Sequence, residues 1–340
     1  MKKEENKIIF IVGNSRSGTT MLSRILNNNS KIHSFQEIHF FEKMFKTEDL
    51  NKNITYKKAL KILNQLIAIQ SQGFYKQDKI SNYNDISDSI LNRIDEKNNL
   101  TPLLIYSNFL FYWTSKNNKT IPCEQTPKNL YYLEEIKNHF PQSRIINMVR
   151  DPRSVLLSQK NKWKRKFLGE PQMPIYESLR AWSLYHPITI SRLWLSATSY
   201  GEKDKNNLTV RFEDLILSPK NTAIRISNFC GIDFSDNMLM VPKVGSSISQ
   251  DKLNSLGVNK RKINTWENNN ISKTELYLLQ KIVKKRMKNY NYKIKNIRPN
   301  YFHLLYLYLI FPLKISFALI LNLGRMKNIV GTLKRRIKSD

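Results

Sequence analysis

Cysteine is nearly absent from this chain, with two in 340 residues, and Cys123 and Cys230 stand far apart at no metal-ligand spacing. That excludes a disulfide-stapled fold and a cysteine zinc site, and it fits a reducing compartment. Glycine and proline are sparse as well, at 10 and 12, and no Gly/Ser/Pro-rich linker divides the sequence. Internal repeats are lacking, and compositional bias is limited to local clusters such as 27–29 and 268–270, all asparagine. Acidic residues are few, 27 against 56 basic ones, for a formal charge of +29. Such a field favours anionic ligands or an anionic membrane surface. The basic residues are dispersed, lysine, asparagine and isoleucine abound as an AT-rich coding bias would also give, and no zinc-finger, basic-zipper or RNA-sheet signature occurs. Specific nucleic-acid binding is therefore not expected. The opening run Met1 to Lys7 leads into only a short apolar stretch before Asn14, too little for a signal peptide. The expectation is a cytoplasmic protein, peripheral on the inner face of the membrane.

What is present is one α/β pattern of 41% hydrophobic residues, long enough for a single large core. Ile8 to Val12 reads as a buried parallel strand, and Met21 to Leu26 beyond it carries helical spacing. Between them lies Gly13-Asn14-Ser15-Arg16-Ser17-Gly18-Thr19-Thr20. Strand, glycine loop and helix form an anion cradle, because glycines let successive N–H groups converge and the helix start adds partial positive charge. Loops that hydrolyse nucleoside triphosphates read G-x-x-x-x-G-K-[ST]; here Thr19 stands at the lysine, and Arg16 is the only cation inside the loop.

Further strand-loop-helix units follow. Residues 31–35 read as a return strand ending at Glu37, 54–71 as an amphipathic helix, 72–100 as a loop or lid with short helices, and 101–115 as an apolar helix. Residues 119–124 form a strand entering Gln125-Thr126-Pro127, where the threonine suits an N-cap. Arg144 to Val149 is the next strand, and Asp151 with Pro152 opens the helix behind it. A helical stretch over 175–200 is interrupted at Pro187, Leu208 to Phe212 is a strand, and Ser218-Pro219 opens a helix that Gly231 stops. The fold class is thus α/β, a three-layer α/β/α arrangement on a central parallel sheet, with ligands beyond the carboxyl ends of the strands. Residues 1–298 form this domain and 299–340 an apolar, basic C-terminal helical tail.

In order and content, Gly13 to Thr20, Glu37, Arg150-Asp151-Pro152-Arg153-Ser154 with Ser158, and Arg211-Phe212-Glu213-Asp214-Leu215 resemble sulfotransferases that use 3′-phosphoadenosine 5′-phosphosulfate (PAPS). The resemblance spans roughly residues 7 to 285 and is nearest to the glycan N-sulfotransferase and tyrosylprotein sulfotransferase branches. It implies that Ser15, Arg16, Ser17, Gly18, Thr19 and Thr20 bind the 5′-phosphosulfate, with Arg16 on the leaving phosphate. It implies that Arg150 and Ser158 hold the 3′-phosphate, that Glu37 is the catalytic base, and that no metal enters the chemistry. Arginine suits these places because it is always charged and donates in a fork to tetrahedral oxyanions. For Arg150 the plain alternative is a salt bridge with Asp151 or Glu213. Phe35 and Phe40 beside Glu37 suggest partial desolvation that raises its pKa. His33 and His39 are rival bases. Lys162 and Arg153 are expected to add to the charge field.

The sequence departs from this pattern in places. Gln125 stands where many relatives carry a lysine, which leaves Lys128 or another lysine to substitute, and Phe212 replaces the tyrosine of tyrosylprotein sulfotransferases. Ser246-Ser247 and Lys260-Arg261-Lys262 are the candidates for the late donor-binding loop. In the tail, 301–323 approaches the length of a membrane span, yet Pro312 and Lys314 fall at its middle, and Lys293, Lys295, Arg298, Arg325, Lys327 and the run 334–336 flank it. This reads as a monotopic or re-entrant anchor on an anionic leaflet, against the alternatives of a packed helix pair or a true span. The expected activity is sulfuryl transfer from PAPS to a hydroxyl or amine of a glycan, lipid or peptide. The alternatives are a nucleotide-dependent kinase of the phosphate-loop type and a non-catalytic membrane-surface binding protein on a vestigial nucleotide fold.

Overall fold

The computed structural model of the protein describes residues 7–44, 47–49, 52–74, 83–94, 99–167, 173–242, 256–259, 263–267 and 270–322. Five strands, β1 (Ile9–Gly13), β2 (Ile32–Ser34), β3 (Ile121–Glu124), β4 (Arg144–Val149) and β5 (Leu208–Arg211), form one parallel sheet in the order β2-β3-β1-β4-β5. The central strand β1 is buried at every position and is aligned with β4 so that Phe10 meets Ile145 and Val12 meets Asn147. From β1 the chain first crosses to the β2 and β3 side, then returns to β4 and β5. The direction of winding therefore switches between β1 and β4, which is where open α/β sheets bind their ligands.

Helices cover both faces. In chain order they are α1 (Thr19–Asn27), α2 (Phe40–Lys43), α3 (Tyr56–Gln72), α4 (Asn84–Leu91), α5 (Pro102–Lys116), α6 (Leu133–His139), α7 (Pro152–Lys160), α8 (Ile175–Leu184), α9 (Pro187–Glu202), α10 (Phe212–Leu217), α11 (Pro219–Cys230), α12 (Lys273–Asn289) and α13 (Tyr301–Ile320). Alternation along β1 divides the core. Ile8, Phe10 and Val12 pack with α3 and α5, whereas Ile9 and Ile11 pack with α1 and α11. A third cluster, with Val155, Trp194 and Val283, joins α7, α9 and α12.

Most helix starts follow local chemistry. Thr55 and Thr101 cap α3 and α5, and Asp151 caps α7 with Pro152 in its first turn. Pro187 divides the 175–200 stretch into α8 and α9, and Gly231 ends α11 in a left-handed conformation. One expectation fails. Thr126 does not cap a helix, because its hydroxyl is engaged by Glu124 and by the amide of His39. The described part of 72–100 contains a short helix, as expected, and it is packed, with Ile90 and Leu91 of α4 buried in the main core. Pro312 does not break α13, which runs unbroken from Tyr301 to Ile320.

Candidate active site

The loop after β1 is shaped by two glycines with positive φ. A Cβ on Gly13 would stand 2.3 Å from the carbonyl oxygen of Met148 on β4, and one on Gly18 would stand 2.3 Å from Cδ2 of Phe212. Gly18 thus lets the start of α1 settle onto the Phe212 ring while Leu22, Ile25 and Leu26 enter the core. Between the glycines, Arg16 takes φ 76°, a left-handed conformation that costs a non-glycine residue about 1–3 kcal/mol. Ser17 is fully buried, and its hydroxyl oxygen has no hydrogen-bond partner among the described residues. A buried hydroxyl left over in a loop of converging amides fits an anion acceptor such as a phosphate oxygen. Gly18→Ala should lower the melting temperature by several degrees and weaken nucleotide binding together, as thermal unfolding with and without adenosine 3′,5′-bisphosphate would show.

Arg16, Ser158 and Arg150 meet at the switch point. Arg16 Nε donates to Ser158 Oγ on α7 at 2.8 Å, and Arg150 Nη1, at the end of β4, donates to the Arg16 carbonyl at 3.2 Å. The Arg150 guanidinium lies 4.4 Å from the centre of the Phe212 ring. Its own carbonyl accepts a bond of 2.9 Å from the indole of Trp194, a fully buried side chain of α9. The sheet end, the loop, α7 and α9 therefore position one arginine. Asp151 bonds bidentately to Arg153, Glu213 accepts from the Asp151 amide and the Tyr292 hydroxyl, and the charges of both acids also act on Arg150. Arg153 is correspondingly removed from the expected charge field. It is buried, 4.0 Å over Trp266, and donates to the Lys293 carbonyl, so its work is to hold α7 against the chain beyond α12.

Glu37 emerges from the β2 end beside this cluster, in a setting unlike the expected one. Phe35 and Phe40 turn into the core instead of flanking the carboxylate. The turn is made at His39, which takes φ 54° and donates its amide to Thr126 Oγ1 at 3.2 Å. Thr126 in turn donates to the buried Glu124, which also accepts from Asn129. Burial lifts the Glu124 carboxyl to about 7 despite these bonds. The Glu37 side chain remains 41% exposed, with its Oε2 3.5 Å from His39 Nε2. Burial pushes the Glu37 carboxyl up, but the hydrogen bond and charge of His39 and the charges of Lys162 and Arg16 outweigh it, so the net shift is downward. The expected rise is therefore corrected: neighbouring cations, not aromatic rings, set its protonation.

His39 continues into a row of alternating groups. Its Nδ1 stands 3.4 Å from Glu42, and Glu42 accepts 2.5 Å from Lys128 Nζ. Burial lowers the His39 pKa, yet the carboxylates of Glu37 and Glu42 on either side outweigh it, so the net shift is upward and favours the cationic ring. His33 stacks edge-on against Phe35, and burial together with the charge of Lys119 lowers it to about 4.

A cationic group completes the site. Lys162, in the turn Lys162–Phe167 after α7, is brought down to about 7 by burial and by the neighbouring charges of Arg180, Arg16 and Lys128, with Glu37 opposing. The expectation that Lys162 shares the field of Arg16 holds. Lys128 is tied to Glu42, and Gln125 is buried with its amide oxygen lacking a partner among the described residues. Arg180 on α8 pairs with Glu177 and was not signalled by any motif, since only folding brings α8 to the turn after α7. Glu42 was likewise unmarked. Ser246-Ser247 and Lys260-Arg261-Lys262 lie outside the described residues, as do residues 323–340.

A profile described as "Sulfotransferase family" matches residues 9–236. "Protein-tyrosine sulfotransferase A" of Caenorhabditis elegans is 26% identical over 234 residues, 68% of this chain and 51% of that protein, so the chain spans about half the length of that relative. Among solved structures, the sulfotransferase domain of the Synechococcus PCC 7002 olefin synthase is 18% identical, with 85% of this chain and 96% of that one covered at a TM-score of 0.49. The sulfotransferase domain from the curacin biosynthetic pathway is 19% identical, with 85% and 99% covered at a TM-score of 0.47.

Proposed function

Because the chain belongs to the sulfotransferase family, we propose that it transfers a sulfuryl group from PAPS to an acceptor hydroxyl or amine and releases adenosine 3′,5′-bisphosphate. One observation carries the reading: Arg16, Ser158 and Arg150 interlock at the sheet's switch point, within the charge field that also reaches Glu37. The donor, when bound, supplies an activated sulfuryl group on a leaving phosphate.

The chain's part is to hold charge and move one proton. Loop amides from Ser15 to Thr20, with the Ser17 hydroxyl, hold the 5′ end, and the Arg16 guanidinium, which donates to Ser158, supplies charge between the two phosphate positions. Arg150 and Ser158 hold the 3′-phosphate. Glu37, kept ionised by its cationic neighbours, accepts the proton of the attacking hydroxyl or amine, and His39 with Glu42 orients it. With glutamine at 125, Lys162 and Arg16 supply positive charge at the leaving group.

Calorimetric titration tests the assignment. Adenosine 3′,5′-bisphosphate should bind far more tightly than ATP with Mg²⁺, and the reverse order would favour a kinase. A pH series tests Lys162. A lysine titrating near 7 is charged below that value and neutral above it, so bisphosphate affinity should fall as pH rises from 6 to 8. Lys162→Met should flatten that dependence and leave affinity near the high-pH value of the unaltered protein. An unchanged slope would remove Lys162 from the site.

A further inference from the structure

α13 packs on the domain by one stripe and leaves the rest of its surface bare. Leu304, Leu307 and Phe311 face Ile188 and Leu278, and the Lys314 ammonium sits 3.4 Å over the ring of Trp182 on α8. Asn300 caps the first turn, while its amide is tied to Thr274 of α12 at 3.0 Å. At the far end the hydroxyl of Tyr176 donates to the Leu321 carbonyl, and Arg180 donates to Asn322 Oδ1 at 3.2 Å. The helix is therefore fastened lengthwise along α8 and α12.

The opposite surface is apolar and wet. Phe302, Leu309 and Leu313 are 87%, 66% and 70% exposed, and Leu305 and Ile320 lie open with them. Ile175, Leu179 and Trp182 of α8, the helix on which α13 lies, are also exposed. A contiguous apolar face of this kind is unusual on a soluble monomer.

Charge identifies its occupant. The only acids on α8, α12 and α13 are Glu177 and Glu275, both buried and both paired, with Arg180 and Lys160. The exposed charges of these helices are basic, including Lys273, Lys281, Lys284, Lys285 and Lys288 on α12. In sequence the helix is followed by Arg325, Lys327, Lys334, Arg335, Arg336 and Lys338. A second copy of this chain would bring lysines against lysines, whereas an anionic lipid leaflet complements both the apolar surface and its basic surround. Twenty residues are long enough to cross a bilayer, but the packed stripe holds α13 flat against the domain.

The same face adjoins the reacting centre. The turn Lys162–Phe167, which begins shortly beyond the Ser158 that bonds Arg16, packs against α8, and Arg180 of α8 donates to Asn322 just past α13. We propose that the α8–α13 face seats the protein on an anionic membrane, with α13 as its anchoring segment, and that the acceptor hydroxyl or amine is carried by a lipid of that membrane. The acceptor clause rests on the transfer reading above; the docking surface does not.

Co-sedimentation of the full chain with vesicles, without donor, tests the surface. Binding is expected to vesicles of phosphatidylcholine with phosphatidylglycerol, at least about tenfold weaker to phosphatidylcholine alone, and reduced by added salt. Leu309→Glu combined with Leu313→Glu, at two exposed positions, should lose that binding by about tenfold or more and keep its affinity for adenosine 3′,5′-bisphosphate. Protein that stays in the supernatant with both vesicles, or a double variant that sediments undiminished, overturns the surface. So does a concentration-dependent dimer abolished by the double variant. With radiolabelled PAPS and vesicles of total membrane lipid, label is expected in the solvent-extractable lipid. Label confined to added water-soluble glycans or peptides overturns the lipid acceptor. A chain that binds anionic vesicles but ignores the bisphosphate would sink the transfer reading and spare the docking.

Discussion

Glu37→Gln is expected to cut sulfuryl transfer by about 10²- to 10⁴-fold while leaving affinity for adenosine 3′,5′-bisphosphate within about twofold. The amide is nearly the size of the carboxylate and stays beside His39, but it takes up no proton from an attacking nucleophile. Its effect should fall on kcat, since Glu37 reaches the bound nucleotide only through its charge. The downward pKa shift adds a pH signature. A base held below its ordinary value is ionised throughout the neutral range, so the acid limb of the rate profile should lie below the usual carboxylate range. Had desolvation won, activity would fade nearer neutrality. Transfer by Glu37→Gln at more than a tenth of the normal rate would move the proton to another group. His39 would then be the first candidate, and its cationic setting between two carboxylates would have to be abandoned.

Arg150→Ala is expected to weaken adenosine 3′,5′-bisphosphate by about 10²- to 10³-fold, the usual consequence of removing one partner of a partly desolvated charge pair. Arg150→Lys should recover little of this, because a point charge does not reproduce the planar fork that donates to the Arg16 carbonyl and leaves further N–H groups for an oxyanion. AMP supplies the control. If Arg150 holds the 3′-phosphate, the alanine variant should bind AMP nearly as well as the unaltered protein does. Equal losses for both nucleotides would mean that the residue works through the Arg16 loop alone, and the 3′-phosphate assignment would fail.

The strands and the glycine loop were legible because they are local matters. A central parallel strand must be apolar on both faces, as Ile8 to Val12 is, and the turns at Gly13 and Gly18 demand residues without a Cβ. The grouping of Arg16, Arg150 and Ser158 was legible through the resemblance, and the fold brings the three into contact. The surroundings of Glu37 were not. Nothing near position 39 signals that a left-handed histidine will send Phe35 and Phe40 inward and turn Glu37 toward cations from the β1 loop and the turn after α7. Arg180 was hidden for the same reason, since its place depends on how α8 lies against that turn. A proline inside a helix removes one backbone bond, yet α13 continues through Pro312 along α8 and α12.

The bond from Arg150 to the Arg16 carbonyl gives the two ends of the cradle a shared thermodynamic fate. A ligand group that draws Arg150 toward itself changes the freedom of the Arg16 peptide, and by linkage whatever settles that peptide must alter the grip of Arg150 by the same factor. Mononucleotides and inorganic sulfate should therefore bind non-independently when offered together, and that cooperativity should vanish once the side chain at 150 is truncated.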